Sequence, residues 1–188
     1  MFANESHSRL LALGRSYGLI NGERAGVRYK VSLRGREYFI LPALSLNGLL
    51  HLKVVRIEVS SYTFLQFVRG ILPHLNKWPE SNSVLVIDNA SLHDILGLRG
   101  LVEERGARLL YLPPHSPDYN PVELSFSELN AWLGENHDYV QQVLESDEEE
   151  SVDTVYDLLR EAIHSITMEN ARAWYKTCGF RFKLDVPE

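Results

Sequence analysis

The chain has 188 residues and a formal net charge of −6 at pH 7, and this length suits one domain with a proper hydrophobic core. Its single cysteine, Cys178, excludes an internal disulfide framework and a zinc site built from several cysteines, and it fits a reducing compartment. No apolar stretch approaches the roughly 20 residues of a membrane span, and the N-terminus lacks a signal-peptide pattern. We therefore expect a soluble intracellular protein with no membrane partner.

The charge is unevenly distributed along the chain. Residues 1–56 carry nine Lys and Arg against three Asp and Glu, whereas residues 57–188 carry ten against twenty-two. A basic N-terminal third is typical of a surface that contacts the phosphate backbone of nucleic acid. A solvated hairpin face explains the same pattern, and both interpretations stay open. The candidate DNA-binding residues are the densest part of this region: Arg24, Arg28, Lys30, Arg34 and Arg36.

The first part of the chain predicts a loop, a β-hairpin and a helix. Residues 1–26 hold four glycines and show little periodicity, so we expect a loop. Residues 27–57 are strand-like, and the Asn47-Gly48 pair between two apolar runs is a strong hairpin signal. Residues 62–75 place large apolar side chains at helical spacing and predict an amphipathic helix.

Two short apolar runs follow, separated by a helix. Val84–Asp88 is unbroken, the pattern of a strand that is buried on both faces. Ser91 can cap a helix that ends at Gly106. Ala107–Leu112 then predicts a second buried strand. Strands that alternate with helices in this way indicate an α/β domain.

The last part of the chain is predicted to be helical. The three prolines of Pro113–Pro121 require an irregular loop, and a helix follows to about Glu135. Residues 145–151 form an acidic loop, and two short helices are expected near 152–166 and 168–178. We therefore expect residues 1–136 to form the α/β domain, and residues 137–188 to add an acidic linker and a C-terminal helical extension.

Asp88 and Glu123 are the candidate metal ligands. Asp88 ends a predicted strand, and ligands of open α/β sheets bind at the carboxyl ends of their strands. Carboxylates suit magnesium, and two such ions about 4 Å apart can activate a water and stabilise a leaving 3′ oxygen. Structural explanations also hold. Asp88-Asn89 is a good turn pair, and Glu123 lies where the acid of a capping box would follow Asn120.

Two motifs carry a family resemblance. They are Ser83-Val-Leu-Val-Ile-Asp-Asn-Ala-Ser-Leu-His93 and Leu112-Pro-Pro-His-Ser-Pro-Asp-Tyr-Asn-Pro-Val-Glu123, with 34 residues between their acids. In these motifs the chain resembles the mariner-like superfamily of DDE transposases, in the form found in eukaryotic, particularly fungal, elements. Supporting pieces are Gly14-Arg-Ser-Tyr-Gly18, Leu33-Arg-Gly-Arg36 and Pro42-Ala-Leu-Ser-Leu-Asn-Gly48, so that the resemblance spans roughly residues 4–135.

The resemblance implies an RNase H-like mixed sheet flanked by helices, in which three acids bind two Mg²⁺ or Mn²⁺ ions. With these ions the family cuts DNA at transposon ends and joins it to a target, so DNA is the implied partner. A homodimer and a nuclear or otherwise intracellular location are further expectations. By position, Asp88 is the second acid and Glu123 the third. The first acid belongs to an Asp-Glu-Ser motif that reads Asn4-Glu5-Ser6 here.

Asn4 is a departure from the family pattern. It removes a negative charge from the metal site, and Glu5 is no simple substitute because adjacent strand residues point to opposite faces. Only three residues precede Asn4, so we expect the opening strand to be largely missing, unless the true gene start lies upstream. The sequence therefore predicts a DDE endonuclease domain with impaired catalysis. The alternative is a non-catalytic module, derived from a transposase, that binds nucleic acid or protein.

Overall fold

The computed structural model describes residues 11–20, 23–33, 36–56, 59–87, 97–113, 116–147 and 151–182, with side chains from residue 38 onwards. Within these residues the fold combines a four-stranded sheet, a two-stranded sheet and six α-helices. The predicted mixed α/β class is confirmed. The segment around Asn4 that the sequence assigns to an opening strand lies outside the described residues.

The larger sheet is an antiparallel meander. Its strands pair in chain order, and the hairpin predicted at Asn47-Gly48 is confirmed, with φ of 106° at Gly48. The loop predicted for residues 1–26 is wrong where the structure describes it, because residues 11–20 pair with the following strand along almost their whole length. The glycines of this segment have a low propensity for strands, so the sequence did not indicate one. The segment is a strand because the following strand provides its hydrogen-bond partners. The strands are β1 (Leu11–Ile20), β2 (Glu23–Leu33), β3 (Arg36–Ser45) and β4 (Gly48–Val55).

The smaller sheet is a parallel pair, β5 (Val84–Ile87) and β6 (Arg108–Tyr111), joined through helix α2 (Leu98–Glu104). The prediction that both faces of these strands are buried is wrong. Leu109 is 2% exposed, whereas Val86 and Leu110 are 41% and 53% exposed. Side chains alternate across a strand, so one face of the pair packs into the core while the other lies open.

Three of the described helices begin after a hydroxyl residue that caps them, namely Ser60, Ser151 and Thr167. Helix α1 (Ser61–Ile71) starts after Ser60, whose Oγ accepts the N–H of Thr63 at 3.1 Å. The helices predicted from Pro121 and near 152–166 and 168–178 are confirmed. Helix α4 was not predicted, because only two of its residues, Val140 and Leu144, are buried. The later helices are α3 (Val122–Glu135), α4 (His137–Ser146), α5 (Val152–His164) and α6 (Met168–Thr177).

Strand β3 separates two hydrophobic clusters. Tyr38 and Ile40 pack with β4 against helices α3, α4 and α5. Phe39 and Leu41 lie on the opposite face and pack against α1, α2 and the β5–β6 pair. Helices α4 and α5 thus share their core with the sheet. The division of the chain at residue 136 into a domain and an extension stays a prediction.

None of the described helices is long and apolar enough to cross a membrane. The first cluster encloses an apolar cavity of about 10 Å³ between the β3–β4 hairpin and helices α3 and α5. This volume is roughly that of one water molecule. Ser125 is the one polar residue of the lining, and its hydroxyl already donates to the carbonyl of Val122 at 2.6 Å. The cavity is a packing defect and has no room for a ligand.

Candidate metal centre at the start of helix α3

The carboxyl ends of β5 and β6 lie side by side. The N–H of Leu112, which follows β6, donates to the carbonyl oxygen of Ile87, the last residue of β5, at 2.9 Å. Because the strands are parallel, the residues that follow them emerge at the same edge of the sheet. Asp88 comes directly after Ile87 in the chain, but it lies outside the described residues. That Asp88 and Glu123 lie close together at one metal site therefore stays a prediction.

The segment before α3 explains how the helix starts. Residues 117–119 form a 3₁₀ turn, and the N–H of Asn120 donates to the carbonyl of Pro117 at 2.9 Å. The side chain of Asn120, the predicted cap residue, accepts the N–H of Val122 at 3.3 Å, although helix α3 itself begins after Pro121. In a capping box, however, the third-position acid bonds to the N–H of the cap residue. Here the N–H of Asn120 already donates to the carbonyl of Pro117, which weakens the explanation of Glu123 as the acid of a capping box.

Glu123 lies in the first turn of α3 and is half-buried. The N-terminus of a helix favours a negative charge, because its peptide dipoles point their positive ends there. Helix α3 packs against β3 and α5, so the position of this carboxylate is fixed by the main core. A hard oxygen donor on a rigid element suits Mg²⁺ or Mn²⁺.

Cys178 and Asp118 lie in the neighbourhood of Glu123. Burial raises the pKa of the Cys178 thiol, and the negative charges of Asp118 and Glu123 raise it further. Cys178 follows helix α6 and is 6% exposed. The thiol at the end of α6 is therefore close enough to the start of α3 to be influenced by its charges. Sequence reasoning missed this proximity, because 54 residues lie between Glu123 and Cys178 and no motif connects them.

The other predicted site residues are only partly described. Asn4 and Arg34 lie outside the described residues. For the other four residues of the predicted DNA-binding set, the structure describes the backbone alone. Three of them lie in β2, namely Arg24, Arg28 and Lys30, and Arg36 is the first residue of β3. That basic surface stays a prediction. Among the described residues, no three His, Cys, Asp or Glu side chains converge in an arrangement that would hold a metal ion.

Comparison with protein families decides the assignment. A model described as DDE superfamily endonuclease matches residues 2–144, a range that includes Asn4, Asp88 and Glu123. The match covers well over half of the chain. This chain belongs to the DDE superfamily endonucleases. The resemblance found in the two sequence motifs is thereby confirmed at the level of the superfamily.

Solved structures of one transposase are similar to this DDE superfamily endonuclease. The Mos1 mariner paired-end complex with Mn is 16% identical, with a TM-score of 0.49, over 88% of this chain and 47% of the other. The Mos1 catalytic domain with raltegravir and Mn is 16% identical, with a TM-score of 0.49, over 93% and 85%. A further structure of the Mos1 catalytic domain is 14% identical, with a TM-score of 0.43, over 95% and 86%.

The chain thus spans about half the length of the transposase in the paired-end complex. With TM-scores below 0.5, these likenesses add nothing to the family assignment, which rests on the match to the family model. No curated protein is significantly similar in sequence.

Proposed function

We propose that this chain is the RNase H-like catalytic domain of a mariner-like transposase, and that the chain as it stands does not cut DNA at an appreciable rate. The proposal rests on Asn4, to which the sequence resemblance assigns the position of the first acid, and which lies inside the range matched by the family model. Asp88 and Glu123 retain the second and third acid positions.

The reason for impaired catalysis is the charge of the metal site. Two divalent ions, when bound, activate a water and stabilise the leaving 3′ oxygen of a DNA strand. The amide oxygen of Asn4 can coordinate Mg²⁺ or Mn²⁺, but it supplies no negative charge. Ligand charge is one of the factors that set the affinity of such sites. Asp88 and Glu123 would then hold at most a weakly bound ion, and the second ion would be lost first.

DNA is the proposed partner, as transposon end and as target, and we propose a nuclear location and a homodimer on the same family grounds. The five basic residues of the predicted DNA-binding set would contact the phosphate backbone. The alternative is a non-catalytic module that binds DNA or protein. Asn4 favours this alternative too, because it removes a catalytic ligand but none of the residues of the predicted DNA-binding set.

A plasmid-nicking assay with Mn²⁺ tests the proposal. We expect no nicking by the natural chain, and nicking by the Asn4→Asp variant. Adding Glu123→Gln to that variant should abolish the activity, whereas adding Glu135→Gln, at the exposed far end of the same helix, should not. Mn²⁺ affinity, measured calorimetrically, should follow the same order, because each loss removes a charged ligand.

Clear nicking by the natural chain that disappears on Asp88→Ala would show that Asn4 suffices as a ligand, and the proposed impairment would be wrong. If the Asn4→Asp variant neither binds Mn²⁺ nor nicks DNA, supplying an upstream strand together with Asn4→Asp is the next comparison. Continued inactivity of that protein would place the defect outside the metal site.

A further inference from the structure

The loop before β5 meets the turn before β6 at the end of the parallel pair that lies opposite to Asp88. The N–H of Trp78 donates to the carbonyl of Gly106 at 2.9 Å, and the N–H of Arg108 donates to the carbonyl of Ser83 at 2.8 Å. A Cβ at Gly106 would lie 2.9 Å from Cγ of Lys77, so the stem of Lys77 passes closely over this glycine. These contacts bring Lys77, Trp78 and Arg108 together on one surface.

Trp78 offers an open aromatic face there. The guanidinium of Arg108 lies 4.2 Å from the centre of the indole ring, within the range of a cation–π contact. Yet Trp78 is 47% exposed. A tryptophan usually contributes its large apolar area to a core or an interface. Although Arg108 lies over the ring, about half of the tryptophan stays open to solvent, which leaves aromatic area for a second planar group.

The surroundings of Trp78 are positively charged, although the chain as a whole is acidic. Arg105 donates from Nε and Nη2 to the carbonyl of Leu72, at 3.2 Å each, which fixes its guanidinium beside the loop. Among the described residues, no carboxylate forms an ion pair with Lys77, Arg105 or Arg108. Residues 72–82 and 105–108 together contain these three cations and one carboxylate, Glu80.

We propose that Lys77, Trp78, Arg105 and Arg108, which we call the Trp78 surface, bind single-stranded DNA. An unpaired base stacks on the open face of Trp78, and the flanking phosphates contact the cations. Aromatic platforms beside positive charge bind single strands in this way, with little dependence on sequence. A strand rises about 3.3 Å per residue, so the four residues of β5 place this surface roughly 10–13 Å from the edge where Asp88 follows. The inference rests on the proposed function only in the choice of DNA.

Fluorescence anisotropy with a labelled oligothymidylate of 12 nucleotides tests the inference, using the full chain in EDTA so that metal ions play no part. We expect Trp78→Ala to weaken binding roughly tenfold, which is the scale of one stacked base. Trp78→Phe should keep most of the affinity, because it keeps an aromatic face. Tyr62→Ala, at a residue that is 71% exposed on α1, is the matched control and should bind like the natural chain.

Salt dependence tests the cationic part of the surface. Lys77→Gln and Arg108→Gln should each lower the slope of log affinity against log salt by about 0.7, the value for one phosphate contact on a single strand. Circular dichroism on each variant confirms that the fold is intact.

Equal binding by Trp78→Ala and Tyr62→Ala would overturn the proposal. It would also be overturned if the strand did not bind while an acidic peptide bound in a manner that depends on Trp78, because the surface would then serve a protein partner. Failure of the nicking assay leaves this measurement unaffected, since binding in EDTA needs no catalytic site.

Discussion

Gly70→Ala is the substitution whose effect the packing of α1 on β4 determines most directly. A Cβ at Gly70 would lie 2.3 Å from Nε2 and 2.5 Å from Cε1 of His51, closer than real Cβ contacts allow. The His51 ring cannot retreat freely, because it stacks on Phe67 with 5.6 Å between ring centres. Overpacking of this kind costs about 1–3 kcal/mol.

Helix propensity acts in the opposite direction. Replacing Gly by Ala inside a helix stabilises it by up to about 1 kcal/mol. Gly100 in α2 provides the matched control, because a Cβ there meets nothing within 4 Å. We expect Gly100→Ala to stabilise the protein and Gly70→Ala to destabilise it, with the overpacking cost of about 1–3 kcal/mol as the difference between them.

Urea denaturation followed by circular dichroism measures both effects. In a His51→Ala background the clash is gone, and Gly70→Ala should then stabilise the protein as Gly100→Ala does. The double-mutant cycle should give a coupling energy of about 1–3 kcal/mol between positions 51 and 70. If Gly70→Ala stabilises the natural chain as much as Gly100→Ala, the ring moves away without cost and the reasoning is refuted.

Three further predictions concern pH, a hydrogen bond and the core. Burial lowers the pKa of His51 below its usual 6.5, and the charges of His74 and Lys53 lower it further. The free energy of unfolding should therefore be highest above pH 6.5 and fall as the pH drops through the lowered pKa. His51→Gln should make this decline shallower, and an unchanged profile would contradict the assignment. Tyr175→Phe should cost about 1 kcal/mol, because the phenol donates to the carbonyl of Leu44 at 2.9 Å. Burial raises the pKa of Tyr175 to about 12, so the variant should also lose a tyrosine ionisation near that pH in a spectrophotometric titration; the prediction fails if that transition persists. Leu159→Ala, at a fully buried position, should cost about 3–5 kcal/mol in urea denaturation, and a loss below about 1 kcal/mol would show that the cluster collapses around the gap.

Local chemistry by itself determined a large part of this protein. Asn47-Gly48 specified its hairpin, because the turn requires a residue with positive φ. The helix after Pro121 and the helices of the last third followed from apolar spacing and capping residues, which act within one or two turns. The two acidic motifs identified the DDE superfamily, and Asn4 raised the question of activity, since both depend only on which residues stand at which positions.

The tertiary structure decided what depends on partners that are distant in the chain. Residues 11–20 became a strand because β2 pairs with them, and their glycines gave no sign of it. Val86 and Leu110 are exposed because the core covers one face of β5 and β6, and an apolar run cannot reveal which of its faces will be covered. The same reason applies to the cation–π contact of Arg108 with Trp78 and to the proximity of Cys178 to Glu123. In each case the two segments are distant in the chain and neither local sequence indicates the other, so that only the folded chain brings them together.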